Sequence, residues 1–278
     1  MTIEPPATPS VVSSATTPST PYERIRTAQA GPCLTVTLHY PERRNAIGPQ
    51  MIGELLEVLD AAEQDASVRV VVLTGASAGK AFCAGGDFGQ MTGAADSKAA
   101  RHGDYADLLQ ALWRARKPVV AKVNGHALGG GLGLVAACTL AVAADSALLG
   151  TPEVEVGLFP MMIMAVLSRL MPRRRLVEMM LLGQKLSAAE ARDNGIVGTV
   201  VPLAELDAAV DVLVAGLAAK SASTLRLGLQ AIVDQEELEL ARSLPLLRER
   251  LAECLATDDA REGLTAFLEK RPPRWVDR

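Results

Sequence analysis

The stretch that most limits what this chain can fold into runs from Pro118 to Glu153, PVVAKVNGHALGGGLGLVAACTLAVAADSALLGTPE. A β-branched run, Val119-Val120-Ala121-Lys122-Val123, meets a turn at Asn124-Gly125. Gly129, Gly130 and Gly131 follow, and then an alanine-rich apolar segment with neither proline nor charge until Asp145. The pattern reads as a strand, a loop whose backbone can approach a ligand closely, and a buried helix that gives way at Asp145. The first N–H groups of such a helix lack partners within it and sit at the positive end of its dipole, which suits a negative charge.

Upstream, residues 33–39 alternate as a strand does, and Pro41 to Asn45 reads as a loop. From Pro49, Ile52, Leu55, Leu56, Leu59 and Ala62 recur at helical spacing. Residues 68–74, VRVVVLT, suit a strand buried on both faces. Strand, helix, strand in this order predicts a parallel pair with a right-handed crossover. Residues 75–91 form a second glycine-rich loop and 98–116 a helix. A short extended piece leads into TPEVEVG, which, if extended, puts Glu155 on the same side as Glu153. Met161 to Met180 is apolar and methionine-rich, broken by Pro172 and by Arg173-Arg174-Arg175, a triplet read as a solvated face. Ser187 and Glu190 form a capping box opening a short helix that stops at Asn194-Gly195, and residues 196–201 read as a further strand. After Pro202 the pattern is helical at 203–220, 223–233 and 236–256, with no strand between. The expected organisation is a disordered Pro/Ser/Thr-rich tail over 1–21, an α/β core over 22–202 and a helical C-terminal region over 203–278, with no internal repeat.

A net charge of −4 with 3% aromatic residues argues against a nucleic-acid surface built from basic stripes and stacking platforms. Cys33, Cys83, Cys138 and Cys254 have neither C-x-x-C spacing nor the density of a disulfide framework, and read as reduced thiols. The first twenty residues hold no Lys or Arg and no sustained apolar run, so no secretory signal is visible and a cytoplasmic location is expected. Val123 to Ala144 is uncharged and long enough to span a bilayer, but Asn124, His126 and its glycines favour a buried segment over a membrane span.

Four chemistries compete for the glycine loops. Gly75-Ala76-Ser77-Ala78-Gly79 matches a nucleophile elbow, yet only His102 and His126 follow Ser77 and the loop feeds further glycines instead of a helix. Gly129, Gly131 and Gly133 are spaced G-x-G-x-G, not G-x-G-x-x-G, and no G-x-x-x-x-G-K-[ST] occurs. His39, His102 and His126 are isolated, so no metal site is expected. The fourth reading joins both loops: each follows a buried parallel strand, so both lie at carboxyl ends of the sheet, where one N–H from each could converge on a single oxygen. That is an oxyanion hole, suited to a thioester carbonyl becoming an enolate. Glu153, just beyond, is placed to move the proton.

At these residues the chain resembles the crotonase, or enoyl-CoA hydratase/isomerase, superfamily over roughly residues 22–278. The collinear segments are ERRNAIG (42–48), KAFCAGGDFGQM (80–91), AKVNGHALGGGLGL (121–134), TPEVEVGLFP (151–160), GQKLSAAEARDNGIVGTVVP (183–202) and EGLTAFLEKRPPRW (262–275). The resemblance implies a crotonase-like spiral of ββα repeats with a helical C-terminal trimerisation region, assembled as a homotrimer or dimer of trimers. It implies that Gly86 and Gly130 supply the oxyanion N–H groups and that Glu153 is the catalytic acid. By the same likeness Arg44, Ala46 and the loop Ala84, Gly85, Gly86, Asp87 and Phe88 line the coenzyme A channel. Phe267 and Lys270 match tail positions that approach the adenine end of coenzyme A, sometimes in a neighbouring subunit. Coenzyme A is part of the substrate, an acyl-CoA thioester, and no separate cofactor is implied.

Two-acid hydratases of this superfamily carry a glutamate three residues after the middle glycine and another about twenty further on. Here those positions hold Gly133 and Glu153. One carboxylate makes Δ3-Δ2-enoyl-CoA isomerisation by Glu153 the simpler chemistry and the alternative here; because some hydratases of the superfamily share a glycine at this position, the expected reaction is reversible hydration of a 2-enoyl-CoA. A non-catalytic homologue binding acyl-CoA or RNA is the alternative of another class. PMMIMA, residues 160–165, is expected to line or pack near an acyl pocket.

Overall fold

Successive strands alternate between two sheets, and that alternation builds the site. The computed structural model describes residues 22–76, 80–87, 89 and 103–277. The strands are β1 (Ile25–Ala30), β2 (Cys33–Leu38), β3 (Val70–Gly75), β4 (Ala81–Cys83), β5 (Val119–Val123), β6 (His126–Leu128), β7 (Leu140–Ala144), β8 (Leu148–Gly150), β9 (Lys185–Ser187) and β10 (Thr199–Val201). One sheet has the order β1-β2-β3-β5-β7-β10 and the other β4-β6-β8-β9. Thus β3, β5 and β7 each enter the large sheet and the strand after each enters the small one, a spiral of ββα turns. Pairing is parallel throughout except at β1–β2 and β8–β9.

The helices are α1 (Pro49–Gln64), α2 (Tyr105–Trp113), α3 (Gly130–Ala137), α4 (Met161–Leu170), α5 (Arg173–Leu182), α6 (Ala188–Asp193), α7 (Leu206–Ala218), α8 (Ala222–Gln235), α9 (Leu240–Leu255) and α10 (Asp258–Leu268). Every residue of β3 is buried. Val71 and Leu73 face the main core with α1, α2 and α3, while Val70 and Val72 pack with Val120 and Val142 against Leu206, Val210 and Val214 of α7. Apolar cover on both faces is why this segment reads as an unbroken β-branched run. Each Val or Leu so buried stabilises the fold by roughly 1.5–3 kcal/mol.

Several elements differ from the sequence reading. The strand β1, IRTAQA, was not expected, because it is an edge strand with only Ile25 buried. Its entry is held by Glu54 of α1, whose carboxylate accepts from the N–H groups of Glu23, Arg24 and Ile25. The helix after the triple glycine ends at Ala137 instead of Asp145, and residues 140–144 form β7, a central strand of the large sheet. The short extended piece before TPEVEVG is β8, whereas Pro152–Val156 is not extended but a 3-10 turn, started by Pro152 and closed by Gly157 at φ 76°. The helix α2 begins at Tyr105 under a capping box from Asp104 and Asp107, and residues 98–102 of the helix expected over 98–116 lie outside the described residues. The helix α10, capped by Thr257, was not anticipated. The uncharged window Val123–Ala144 folds into β5, β6, α3 and β7. Among the described residues no single helix is long and apolar enough to cross a membrane; Leu203–Ala218 and Ala222–Gln235 pass that test only as a pair bent by 101°.

Candidate active site

The two glycine loops meet at the ends of β4 and β6. Arg44 and Asn45 both sit in the left-handed region, at φ 52° and 57°, and turn the chain so that Ile47 pairs with Gly86 as a parallel bridge. The Ile47 N–H donates to the Gly85 carbonyl at 2.8 Å, and the Asp87 N–H donates to the Ile47 carbonyl at 2.7 Å. These bonds use the groups on either side of Gly86 and leave its own N–H outside the ladder. Asn45, fully buried, fixes the loop from beneath: its Nδ2 donates to the carbonyls of Ala81 and Phe82, and its Oδ1 accepts from the Tyr40 N–H.

Gly129 has φ 50° and ψ −124°, a conformation open to glycine, and its N–H donates to the Gly150 carbonyl at 2.9 Å. It launches α3, so the Gly130 N–H is the first of the helix and has no partner within it. A Cβ placed on Gly130 would lie 3.7 Å from the Gly86 nitrogen. The Gly86 nitrogen therefore lies close to Gly130, at the positive end of α3. A Cβ on Gly131 would lie 2.4 Å from the Cys83 carbonyl oxygen, so only glycine lets α3 approach β4 this closely.

Glu153 closes the site from the 3-10 turn. Its Oε1 would be 2.7 Å from a Cβ on Gly129, and its Oε2 is buried with no hydrogen-bond partner. Burial raises its carboxyl above the ordinary carboxylate value. Glu155 does not share that side: the 3-10 turn exposes it and sends its side chain toward Gly183.

Tyr105 was not singled out from the sequence. It opens α2, and its hydroxyl donates to the Gly130 carbonyl at 2.5 Å. Burial, then the neighbouring Cys83 and Glu153, hold its phenol well above the ordinary value, so it stays protonated. The one available signal was a tyrosine directly after Asp104, a residue type that caps helices. The Cys83 thiol, pushed up to about 12 by burial, is no nucleophile.

Of the expected channel residues, Arg44, Ala46, Ala84, Gly85 and Asp87 all lie in the two laced loops, with Ala46, Gly85 and Asp87 buried. Phe88, Ser77 and His102 fall outside the described residues. Phe267 and Lys270 lie at the far end of α10, which packs on α8 and α9; Phe267 is 80% exposed and is not brought to the glycine loops within one chain. In PMMIMA, Ile163 is buried and would meet a Cβ on Gly133 at 3.2 Å, whereas Met161, Met162 and Met164 are exposed. Met162 lines a cavity of ≈ 570 Å³ with Leu109, Trp113 and Val166. His126 accepts the Leu148 N–H on Nδ1, and among the described residues no three or more His, Cys, Asp or Glu side chains cluster as a metal site.

The family model described as enoyl-CoA hydratase/isomerase matches residues 29–278. The rat enoyl-CoA hydratase domain-containing protein 3, mitochondrial, is 32% identical, the match covering 86% of this chain and 80% of that protein. The crystal structure of an enoyl-CoA hydratase from Mycobacterium smegmatis superposes with a TM-score of 0.85 at 32% identity, covering 91% of this chain and 99% of the other. That of human enoyl coenzyme A hydratase domain-containing protein 3 gives 0.85 at 29% identity, covering 91% and 100%. The two glycine loops with Glu153 beside them, the alternating two-sheet spiral and a match over nearly the whole chain converge on one answer: this chain belongs to the enoyl-CoA hydratase/isomerase family.

Proposed function

We propose that this enzyme adds water reversibly across the double bond of a 2-enoyl-CoA. The observation that carries the reading is Glu153, a lone carboxylate whose Oε2 is buried without a partner beside the N–H groups of Gly86 and Gly130. The thioester oxygen accepts from those two N–H groups, which stabilise it most as negative charge develops. Glu153 takes a proton from water as the water oxygen attacks C3, and then returns it to C2. With one carboxylate both transfers occur on one face of the double bond.

A second reading, Δ3-Δ2-enoyl-CoA isomerisation, is favoured by Gly133, which leaves α3 without a carboxylate at that point. Glu153 then abstracts at C2 and returns the proton at C4, with no water involved. A panel of 2-enoyl-, 3-enoyl- and 3-hydroxyacyl-CoA esters given to the purified enzyme separates the two. Water addition to the 2-enoyl ester is the expected result; migration alone makes it an isomerase; silence on all three points to a binding role.

In this reading coenzyme A enters with the substrate, over Arg44, Ala46 and the Ala84–Asp87 loop, and no other cofactor takes part. The exposure of Met161, Leu181, Leu182, Phe267 and Leu268 favours a homotrimer or dimer of trimers, in which Phe267 and Lys270 would reach a neighbouring subunit's channel. Light scattering on the purified protein tests the assembly. Four unpaired thiols favour a reducing compartment, the cytoplasm.

A further inference from the structure

Tyr105 stands where a side chain at Gly133 would go. A Cβ on Gly133 would lie 2.2 Å from the Tyr105 hydroxyl oxygen, and one on Gly130 3.6 Å from it. The hydroxyl thus faces the head of α3, as Glu153 Oε1 does at Gly129, and the Gly86 nitrogen lies against the same Gly130. Its single proton is committed to the Gly130 carbonyl. A phenol oxygen that donates can still accept.

We propose that the Tyr105 oxygen accepts the hydrogen that the adding water keeps, while Glu153 takes the hydrogen that leaves. The inference rests on the hydratase reading and names the group that reading lacks. Water has two hydrogens, and one carboxylate can receive only the departing one; a second acceptor fixes the direction of the oxygen lone pair toward C3. The step balances without another reactant. An O–H bond of water breaks, its proton goes to Glu153, and the C3–O bond forms from the water lone pair. The C2–C3 π pair moves to C1–C2, and the thioester oxygen becomes the enolate oxygen held by Gly86 and Gly130. The pair then takes the proton from Glu153 at C2. The O–H bond of Tyr105 stays intact throughout, consistent with a phenol held well above its ordinary titration range.

A tyrosine that merely braced the Gly130 carbonyl would serve any reaction of this site equally, because it would act on the oxyanion donor. A tyrosine that holds water serves hydration alone. Tyr105→Phe keeps the ring and removes the oxygen. In the variant the hydration kcat is expected to fall on the order of 10- to 100-fold, the range of one hydrogen bond to a charge-bearing group. Binding of the 3-hydroxyacyl-CoA product, whose hydroxyl occupies the water position, is expected to weaken about tenfold, while a saturated acyl-CoA of equal length changes less than about twofold. Retained binding of the saturated ester also reports that the variant is folded. Hydration at the wild-type rate, or equal weakening of both esters, would overturn the assignment. If the wild-type enzyme hydrates nothing, the hydratase reading falls and this inference with it; if only the variant is indifferent, Tyr105 alone is removed.

Discussion

Glu153 is a destabilised group in the folded protein. Its buried, unpartnered Oε2 and its raised carboxyl mean that the folded protein binds that proton more tightly than the unfolded chain does. The sign follows: the proton's contribution to stability is fully present below the unfolded-state pKa and is lost as pH rises through the folded-state pKa. Above that range the anion opposes folding. Glu153→Gln should therefore stabilise the protein near neutral pH by about 1 kcal/mol, the low end of the cost of an unsatisfied buried polar group. The gain should disappear as pH falls below the carboxylate range. Turnover should fall by on the order of 10²–10⁴-fold with acyl-CoA affinity little changed, since a neutral amide cannot shuttle the proton. Melting curves across a pH series, set beside kinetics on the same samples, check both halves. An active variant would remove Glu153 from the chemistry. That Glu153, Gly86 and Gly130 come together was legible because short segments announce the two loops and the turn that carry them. Tyr105 was not, because its place is defined by the side chain that Gly133 lacks, and no local pattern encodes a vacancy filled from a distant helix.

At the scale of elements, the site depends on how closely α3 and β4 approach and on how the 44–47 loop is tied to the loop after β4. Gly131 makes the first possible: the obstacle to a Cβ there is the Cys83 backbone, which cannot swing aside as a side chain can. Gly131→Ala should cost at least the roughly 1–3 kcal/mol typical of overpacking, and should move the Gly130 N–H away from Gly86. The expected signature is a lower melting temperature together with a lower kcat; full activity in a folded variant would show that α3 can shift harmlessly. Asn45 makes the second possible. Asn45→Ala leaves the carbonyls of Ala81 and Phe82 buried without their donor and removes a left-handed asparagine, so a loss of about 2–4 kcal/mol is expected, from two unsatisfied groups. Weaker acyl-CoA binding should accompany it, read by calorimetry, because Arg44 and Ala46 ride on the same loop. The strands of the small sheet were hard to foresee for a plain reason. Residues 81–83 and 126–128 are too short to show a period of two, and each is flanked by glycine or by an apolar neighbour that continues the run; only 148–150 reads as extended. The end of α3 at Ala137 was equally hidden, since Leu140–Ala144 is as apolar as the helix before it and only the β10 and β5 partners make it a strand.

For the whole molecule, the spiral left no visible repeat because each ββα turn keeps its geometry while its loops specialise: one carries Gly86, the next Gly130, the third Glu153. The helical C-terminal region packs on that spiral through α7, and one buried carboxylate ties its last residues to α8 and α10. Asp259, 1% exposed in the first turn of α10, accepts from the hydroxyls of Ser221 and Ser223 and from the N–H groups of Val276 and Asp277. Asp277 in turn pairs with Arg69 beside β3 and accepts from the Ala222 N–H, closing a chain of contacts from the sheet to the last residues. Burial works to raise the Asp259 carboxyl, and the hydrogen bonds from Ser221, Val276, Ser223 and Asp277 outweigh it, so it titrates below its ordinary range. A carboxyl depressed in this way contributes stability that is present above the unfolded-state pKa and lost as pH falls through the folded-state value. Asp259→Ala should therefore cost about 3 kcal/mol or more at pH 7, the scale of several hydrogen bonds to one buried charge. The gap to wild type should narrow on acidification, where the wild-type carboxylate is itself protonated. Hydrogen exchange should locate the damage first in α8 and α10, with the two-sheet core following only on global unfolding. Equal loss of protection in β3 and β5 from the outset would mean that the C-terminal helices and the spiral unfold as a single unit, and that Asp259 has no separate role in holding those helices together.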